Sequence, residues 1–169
     1  MDHLWAPWRM EYIDHCLKNN PDEGCIFCTR IEDNHDSNHF ILHRGNHAFI
    51  IMNLYPYNNG HVMIVPNRHI AEIIELNDTE ILEIGQLISL SVRALNKAIH
   101  PDGFNIGMNI GRVAGAGIAD HVHYHVVPRW NGDTNFMPVM GETKVISQGL
   151  QESYRTLKAA FDTILGKTK

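Results

Sequence analysis

The sequence predicts an α+β domain, in which helices pack against a mainly antiparallel sheet. Short segments of strand-like pattern follow one another through turns, which is typical of antiparallel strands. Two longer segments carry apolar residues at helical spacing and stand outside these groups. The chain has 169 residues, of which 44% are hydrophobic and 20% charged, so we expect one domain spanning 1–169 with a substantial core.

The first segment, residues 1–24, is predicted to form an N-terminal arm outside the sheet. Its Trp5, Trp8 and Tyr12 are too apolar for a free tail and are expected to cover the domain or a second subunit. The chain start has no basic region followed by an apolar stretch, and no apolar run reaches the length of a membrane span. We therefore expect a cytoplasmic protein with no membrane partner.

The first strands are expected in the region that follows. The candidates are Phe40–Arg44, His47–Met52 and His61–Pro66. The first two are separated by Gly45 and Asn46, which favour a hairpin turn. A short helix is predicted over His69–Leu76.

The clearest helix begins at Asp78. Asn77 is a suitable N-cap, and Glu80 follows three residues later as in a capping box. The helix is expected to end before Pro101. Its apolar stripe consists of Ile81, Ile84, Leu87, Ile88, Val92, Leu95 and Ile99. A second amphipathic helix is predicted over Leu150–Leu165.

Between these helices the sequence predicts a strand over Phe104–Ile110, a glycine-rich loop over Gly111–Gly117 and a last strand over His121–Pro128. The last strand carries histidine at alternate positions, so its three imidazoles share one face. A core does not need such a row. Residues on one face of a strand are about 6.5–7 Å apart, so we expect the imidazoles to line a substrate rather than bind one metal together.

Imidazole can attack phosphorus, transfer protons or bind a metal. A glycine-rich loop directly before the histidine segment favours close approach of backbone N–H groups to a phosphate. The net charge of −5 and the lack of basic clusters argue against sequence-independent nucleic-acid binding. A nucleotide partner is therefore expected to be a small molecule held in a pocket.

Three cysteines are too few for a disulfide framework, and two of them form the pair Cys25-x-x-Cys28. Three interpretations of this pair stand side by side: half of a zinc site, a redox pair, and two thiols without a role. Cys16 has no partner by spacing and is expected to be a small, partly buried residue.

The segment His121-Val122-His123-Tyr124-His125-Val126-Val127 resembles the signature of the histidine triad (HIT) superfamily. The resemblance extends to Asn53, Pro56, Gly60–Pro66 and His69. Further matches at Leu4–Ile13, Cys25–Cys28 and Pro128–Phe136 resemble a bacterial branch that includes diadenosine tetraphosphate phosphorylases and hydrolases.

The resemblance implies nucleotidyl transfer through a covalent nucleotidyl-histidine. His123 would be the nucleophile at the α-phosphorus, and His125 would contact the phosphate oxygens. Asn53 would bind the ribose, and the remaining nucleotide contacts are assigned to Asn109, Gly115 and Gly117. The expected substrate is a dinucleoside polyphosphate such as Ap4A, cleaved by water or by inorganic phosphate. The alternatives are a nucleoside phosphoramidate hydrolase and a nucleotide-binding regulatory module with little turnover.

The resemblance also implies a structural zinc bound by Cys25, Cys28, His69 and His121, and a homodimer that extends the sheet. One position departs from the pattern, because many members have Ser or Thr three residues before the first triad histidine, where this chain has Ile118. Arg129, just beyond the triad, could hold a phosphate or merely cap the end of a strand.

Overall fold

The computed structural model describes residues 24–133 and 148–167. The N-terminal arm, Cys16 and the Leu4–Ile13 block lie outside the described residues, as do the last residues of the Pro128–Phe136 block. The helices are α1 (Ile26–Glu32), α2 (Asp36–His39), α3 (Asp78–Ile99) and α4 (Leu150–Ile164). The strands are β1 (Ile41–Arg44), β2 (Ala48–Met52), β3 (Val62–Pro66), β4 (Gly103–Met108) and β5 (Tyr124–Arg129).

The five strands form one antiparallel sheet in the order β1-β2-β3-β5-β4, which confirms the predicted α+β class. The predicted hairpin joins β1 to β2. Its turn is held by the carboxylate of Glu83 on α3, which accepts the backbone N–H groups of Asn46, His47 and Ala48. A side chain at Gly45 would collide with the backbone oxygen of Ala48 and with this carboxylate, which explains the glycine there.

Helix α3 begins as predicted. The Asn77 side chain accepts the Glu80 N–H at 3.0 Å, and the Glu80 carboxylate accepts the Asn77 N–H at 2.9 Å. Glu80 is itself buried, and its carboxylate accepts two hydrogen bonds from the guanidinium of Arg68, at 2.7 and 2.8 Å. The predicted stripe needs correction at two points, since Ile81 is half exposed, whereas Leu90 and Ala94, which are not in the stripe, are buried.

The sheet has two unlike faces. Helices α3 and α4 cover the first with a large apolar core that includes Ile50, Ile64, Leu95 and Phe161. We call this the helix face. The second, the histidine face, has a smaller apolar cluster, whose buried residues are Phe27, Ile41, Phe49, Ile51, Met63 and Val65.

Two predicted elements differ from the structure. The helix over His69–Leu76 is wrong, since that segment forms only a 3-10 turn at Ile73–Glu75. The last strand begins at Tyr124 rather than at His121, because the Val122 N–H bonds to the Ile70 carbonyl at 2.7 Å. The other strands are each within two residues of their predicted ends.

Helices α1 and α2 were not predicted. The Arg44 guanidinium binds three carbonyls around the end of α1, those of Arg30, Ile31 and Asp33, at 2.7 to 3.0 Å. Its Nε also donates to the Asp36 carboxylate on α2 at 2.7 Å. These contacts come from a neighbouring strand, so the periodicity of the helices themselves carries little signal. Within the described ranges, no helix combines the length and hydrophobicity needed to span a membrane.

Candidate active site and metal centre

His123 lies on the histidine face, between His121 and the start of β5. Its ring is 3% exposed and packs 5.2 Å from the ring of Phe27 and 4.9 Å from that of His125, between centroids. Its Nδ1 is 2.9 Å from the main-chain oxygen of His121. A carbonyl only accepts hydrogen bonds, so Nδ1 carries the proton and the neutral ring has its lone pair on Nε2.

His125, on β5, has the opposite arrangement. The Tyr57 N–H donates to His61 Nδ1 at 3.0 Å, which leaves the proton of the neutral His61 ring on Nε2. His61 Nε2 is 3.0 Å from His125 Nδ1, and it therefore donates to that nitrogen. His125 consequently carries its own proton on Nε2.

Two adjacent imidazoles thus present opposite hydrogen-bonding groups. His123 has a lone pair on Nε2, as a nucleophile requires, and His125 has an Nε2–H donor, as an anion-binding group requires. Burial lowers the pKa of His123, although its hydrogen bond to the His121 carbonyl acts in the other direction. Burial therefore favours the neutral ring that can act as a nucleophile.

The other predicted nucleotide-binding residues lie in two loops. Asn53 is buried directly after β2, where its Oδ1 accepts the Tyr55 N–H at 2.9 Å and its Nδ2 is 3.4 Å from His61 Nδ1. Asn109 follows β4 and reaches the Gly115 carbonyl at 3.5 Å, so it spans the glycine-rich loop. Gly115 has a φ of 90°, which favours glycine at that position. Gly117 is half-buried further along the same loop.

The predicted metal ligands converge at the other end of the histidine segment. The ligand atoms of Cys25, Cys28, His69 and His121 all lie within 4.8 Å of one another. Cys25 Sγ is 3.3 Å from His121 Nδ1, and Cys28 Sγ is 3.4 Å from His69 Nδ1 and 3.7 Å from His121 Nδ1. Zinc bond lengths in a tetrahedron give sulfur–nitrogen separations of about 3.6 Å. The four residues therefore fit a closed Cys2His2 site, and we call them the metal cluster.

The surroundings also suit a cation. The Nε2 of the fully buried His121 is 2.9 Å from the Pro66 carbonyl, so this nitrogen carries the proton and Nδ1 faces the thiols with its lone pair. Burial lowers the pKa of His121 to about 4, which keeps the ring neutral. Burial and the neighbouring Cys25 raise the pKa of the Cys28 thiol to about 11 in the absence of a cation. A bound metal would supply the positive charge that thiolates need.

The structure therefore divides the three histidines of the signature. His121 belongs to the metal cluster, whereas His123 and His125 form the pair at the candidate active site. Arg129, at the end of β5, makes a two-point ion pair with Asp133 through its guanidinium and also donates to Asn105. Ile118 packs against the apolar cluster of the histidine face.

Sequence reasoning left three site residues without a role. His61 orients His125, Tyr57 stacks on His61 at 4.8 Å, and Phe27 contacts both His121 and His123. The signal for His61 is present in the pairing of the strands, because Met63 stands opposite His125 in the β3–β5 ladder. His61 precedes Met63 by two residues and so shares its face.

Comparison with known proteins agrees with this geometry. The HIT domain family model matches residues 34–132, more than half of the chain. AP-4-A phosphorylase of Mycobacterium tuberculosis is 38% identical over 161 residues, which cover 93% of this chain and 83% of that protein. The chain belongs to the HIT family. Adenosine 5'-monophosphoramidase hnt1 of Schizosaccharomyces pombe is 32% identical over 108 residues, covering 64% of this HIT protein and 76% of the relative.

A solved structure also has the same fold. The zinc-bound histidine triad family protein of Mycobacterium smegmatis superposes with a TM-score of 0.69 at 24% identity. The match covers 86% of this HIT protein and 99% of the solved chain. At this identity, the likeness establishes a shared fold.

Proposed function

We propose that this HIT protein is a nucleotidyl hydrolase or transferase that cleaves at the α-phosphate of a nucleoside phosphate through a nucleotidyl-histidine. The observation that carries the proposal is the opposite protonation of two adjacent rings, His123 with a lone pair on Nε2 and His125 with a proton there. The 38% identity to AP-4-A phosphorylase supports a dinucleoside polyphosphate as substrate.

In the first step, Nε2 of His123 attacks the α-phosphorus of Ap4A and the bond from that phosphorus to the bridging oxygen breaks. ATP leaves, and AMP remains bonded to the histidine. The Nε2–H of His125 donates to a phosphoryl oxygen and stabilises the negative charge on it during the transfer. In the second step, water releases AMP or inorganic phosphate releases ADP, and the ring of His123 is restored.

The remaining contacts are assigned by position. Asn53 lies at the end of β2, on the same face as Ile51 and therefore on the histidine face, where we assign it to the ribose hydroxyls. Asn109 and the backbone of Gly115 and Gly117 are assigned to the phosphates. Backbone N–H groups of this loop then replace the hydroxyl that Ile118 lacks.

The second candidate substrate is a nucleoside phosphoramidate. The 32% identity to a monophosphoramidase supports it, and the same nucleophile would serve, with an amine rather than a nucleotide as leaving group. A regulatory module that binds nucleotide with little turnover is the remaining alternative.

Product analysis distinguishes these reactions. The protein is incubated with Ap4A and isotopically labelled phosphate, and in parallel with adenosine 5'-phosphoramidate. Phosphorolysis gives ATP and labelled ADP, whereas hydrolysis gives ATP and AMP with no label in either. Turnover of the phosphoramidate alone would favour the second candidate. Tight binding without products would leave the regulatory module.

We further propose that the metal cluster holds one structural zinc ion. The donor set supports this, since two thiols and two imidazoles fill all four positions of a tetrahedron and leave none for a catalytic water. Free thiols available to a metal are also expected in a reducing compartment, which supports a cytoplasmic location. Metal analysis of protein purified without chelators should give one zinc per chain, and a value near zero would contradict it.

A homodimer is proposed through the edge of the sheet at β4. Among the described strands β4 pairs with β5 alone, so its other edge is open, and it contains three exposed residues, Asn105, Ile106 and Gly107. A second copy of β4 would satisfy the open backbone groups and cover Ile106, which is 48% exposed. Light scattering should give twice the chain mass, and Ile106→Lys should shift the distribution toward the monomer. A monomer at micromolar concentration would contradict the proposal.

A further inference from the structure

The metal cluster and the candidate nucleophile are neighbours in the chain and in space. His121, a member of the cluster, is two residues before His123, and its main-chain oxygen accepts the His123 Nδ1–H at 2.9 Å. The tautomer of His123 therefore depends on where the carbonyl of His121 points. Anything that fixes His121 also fixes the nitrogen that the nucleophile presents.

The ladder of the sheet does not fix this carbonyl. The β3–β5 pairing ends with Ile64 opposite Tyr124, so His121 and His123 lie beyond its last rung. Three anchors hold the segment instead. The Val122 N–H bonds to the Ile70 carbonyl, the His121 Nε2–H bonds to the Pro66 carbonyl, and His121 Nδ1 faces the thiols of the cluster. Without a metal, the third anchor is reduced to contacts with the two thiols.

Phe27 provides a second connection. It lies between Cys25 and Cys28 in the chain, is 1% exposed, and packs its ring 5.3 Å from His121 and 5.2 Å from His123. One ring therefore contacts the imidazoles of both a cluster ligand and the candidate nucleophile. Since both flanking cysteines belong to the metal cluster, the position of Phe27 depends on the same four ligands.

We propose that Phe27 is a positioning residue and that, together with the His121 carbonyl, it couples the metal cluster to the orientation of His123. With the cluster assembled, the His123 ring holds its Nδ1–H on the His121 carbonyl and directs Nε2 to the substrate. When the cluster opens, or when Phe27 is truncated, the ring rotates and samples the tautomer with the proton on Nε2. The catalytic meaning of this coupling rests on the proposed role of His123, whereas the coupling itself does not.

The test compares ring tautomers by two-bond ¹H–¹⁵N correlation spectra, with the His123 signals assigned by their loss in His123→Gln. Four samples of the full chain are needed: zinc-loaded, chelated, zinc-loaded Phe27→Leu, and zinc-loaded Phe49→Leu. Phe49 is the matched control because it is equally buried in the same cluster and its ring lies 6.4 Å from that of Phe27, while among the described residues its ring packs against no histidine ring.

Zinc-loaded wild type and Phe49→Leu should show only the Nδ1–H form of His123. The chelated protein and Phe27→Leu should show both forms, and Phe27→Leu should lower kcat about 10- to 100-fold with little change in KM, as expected for a misplaced reacting group. An unchanged Nδ1–H form in both would overturn the proposal, as would a protein that binds no zinc. If the tautomer shifts but no nucleotide is turned over, the proposed function fails while the coupling stands.

Discussion

The two faces of the sheet differ in composition and in what they do. The helix face is closed by α3 and α4 over a large apolar core, in which residues such as Leu95 and Phe161 are fully buried. The histidine face has a small apolar cluster and, beside it, four buried histidines, His61, His121, His123 and His125. Burial of apolar area on the helix face therefore supplies most of the stability, and the histidine face can hold groups that a core would reject.

This division has a cost on the histidine face. Each buried imidazole needs a partner, and the structure provides one through main-chain carbonyls and through other rings. These hydrogen bonds offset the cost of burying the imidazoles. The same hydrogen bonds also determine which nitrogen of each ring carries the proton, and therefore what chemistry the ring can do. Substitutions on the two faces should therefore separate stability from turnover.

The largest effect is expected for His123→Gln. Removing the proposed nucleophile should lower turnover of the active substrate about a thousandfold or more, while nucleotide binding and the melting temperature change little. Steady-state rates measure the loss of turnover, and thermal unfolding measures the melting temperature. His47→Gln, at an exposed position outside the site, is the control and should retain activity. Residual activity of more than a few per cent in His123→Gln would point to another nucleophile.

On the helix face, Leu95→Ala should lower stability and leave turnover almost unchanged. Leu95 is fully buried between α3 and the sheet, so truncation should lower the free energy of unfolding by about 2–5 kcal/mol. The rate per folded molecule should stay close to wild type at a temperature where the variant is folded. A variant of normal stability, or one that folds but has lost activity, would contradict the separation of the faces.

Cys28→Ser tests the metal cluster, which is expected to affect both stability and turnover. It should abolish the proposed stoichiometric zinc binding and lower the melting temperature. The loss of turnover should be smaller than in His123→Gln, because we propose that the metal cluster only positions His123. Cys16→Ser, which removes a thiol outside the C-x-x-C pair, should change neither quantity. Retention of one zinc per chain in Cys28→Ser would show that the four ligands are assigned wrongly.

The smallest effect is expected for Glu80→Gln, which should lower the free energy of unfolding by about 1–3 kcal/mol. Hydrogen bonds from Arg68 lower the pKa of Glu80 from 4.5 to about 2, so the carboxylate stabilises the fold fully above pH 4.5. This contribution is lost as the pH falls through about 2. Denaturant unfolding of the wild type and Glu80→Gln between pH 4.5 and 2 should therefore show that the difference between their free energies of unfolding, which we call the gap, narrows on acidification.

Glu152→Gln, at an exposed position on α4, is the control for Glu80→Gln and should show no comparable gap. A gap that stays constant or widens between pH 4.5 and 2 would mean that the carboxylate of Glu80 is not the stabilising group.

Local signals explain what could be predicted. The bounds of α3 follow from its Asn77 cap and from Pro101 just beyond its end, and the β1–β2 hairpin follows from Gly45 and Asn46. Helix α1 was missed because the Arg44 guanidinium at its carboxyl end comes from a strand. Such a contact is not encoded in the periodicity of the helix itself.

The candidate site was predicted through its motifs, and the structure brings the metal cluster together as expected. The alternating pattern could not predict that the three histidines have different surroundings, since His121 and His123 lie outside the strand. The role of His61 depends on a bond to a residue 64 positions further along the chain, which only the pairing of β3 with β5 reveals.

The most direct test of the account is to trap the covalent intermediate. The protein is mixed with Ap4A without added phosphate, quenched within the first turnover, digested and analysed by mass spectrometry. We predict one AMP moiety on the peptide that contains His121, His123 and His125, located by fragmentation on His123, with one ATP released per adduct. An adduct on a different residue, or product formation in single turnover with no adduct at any time, would contradict it.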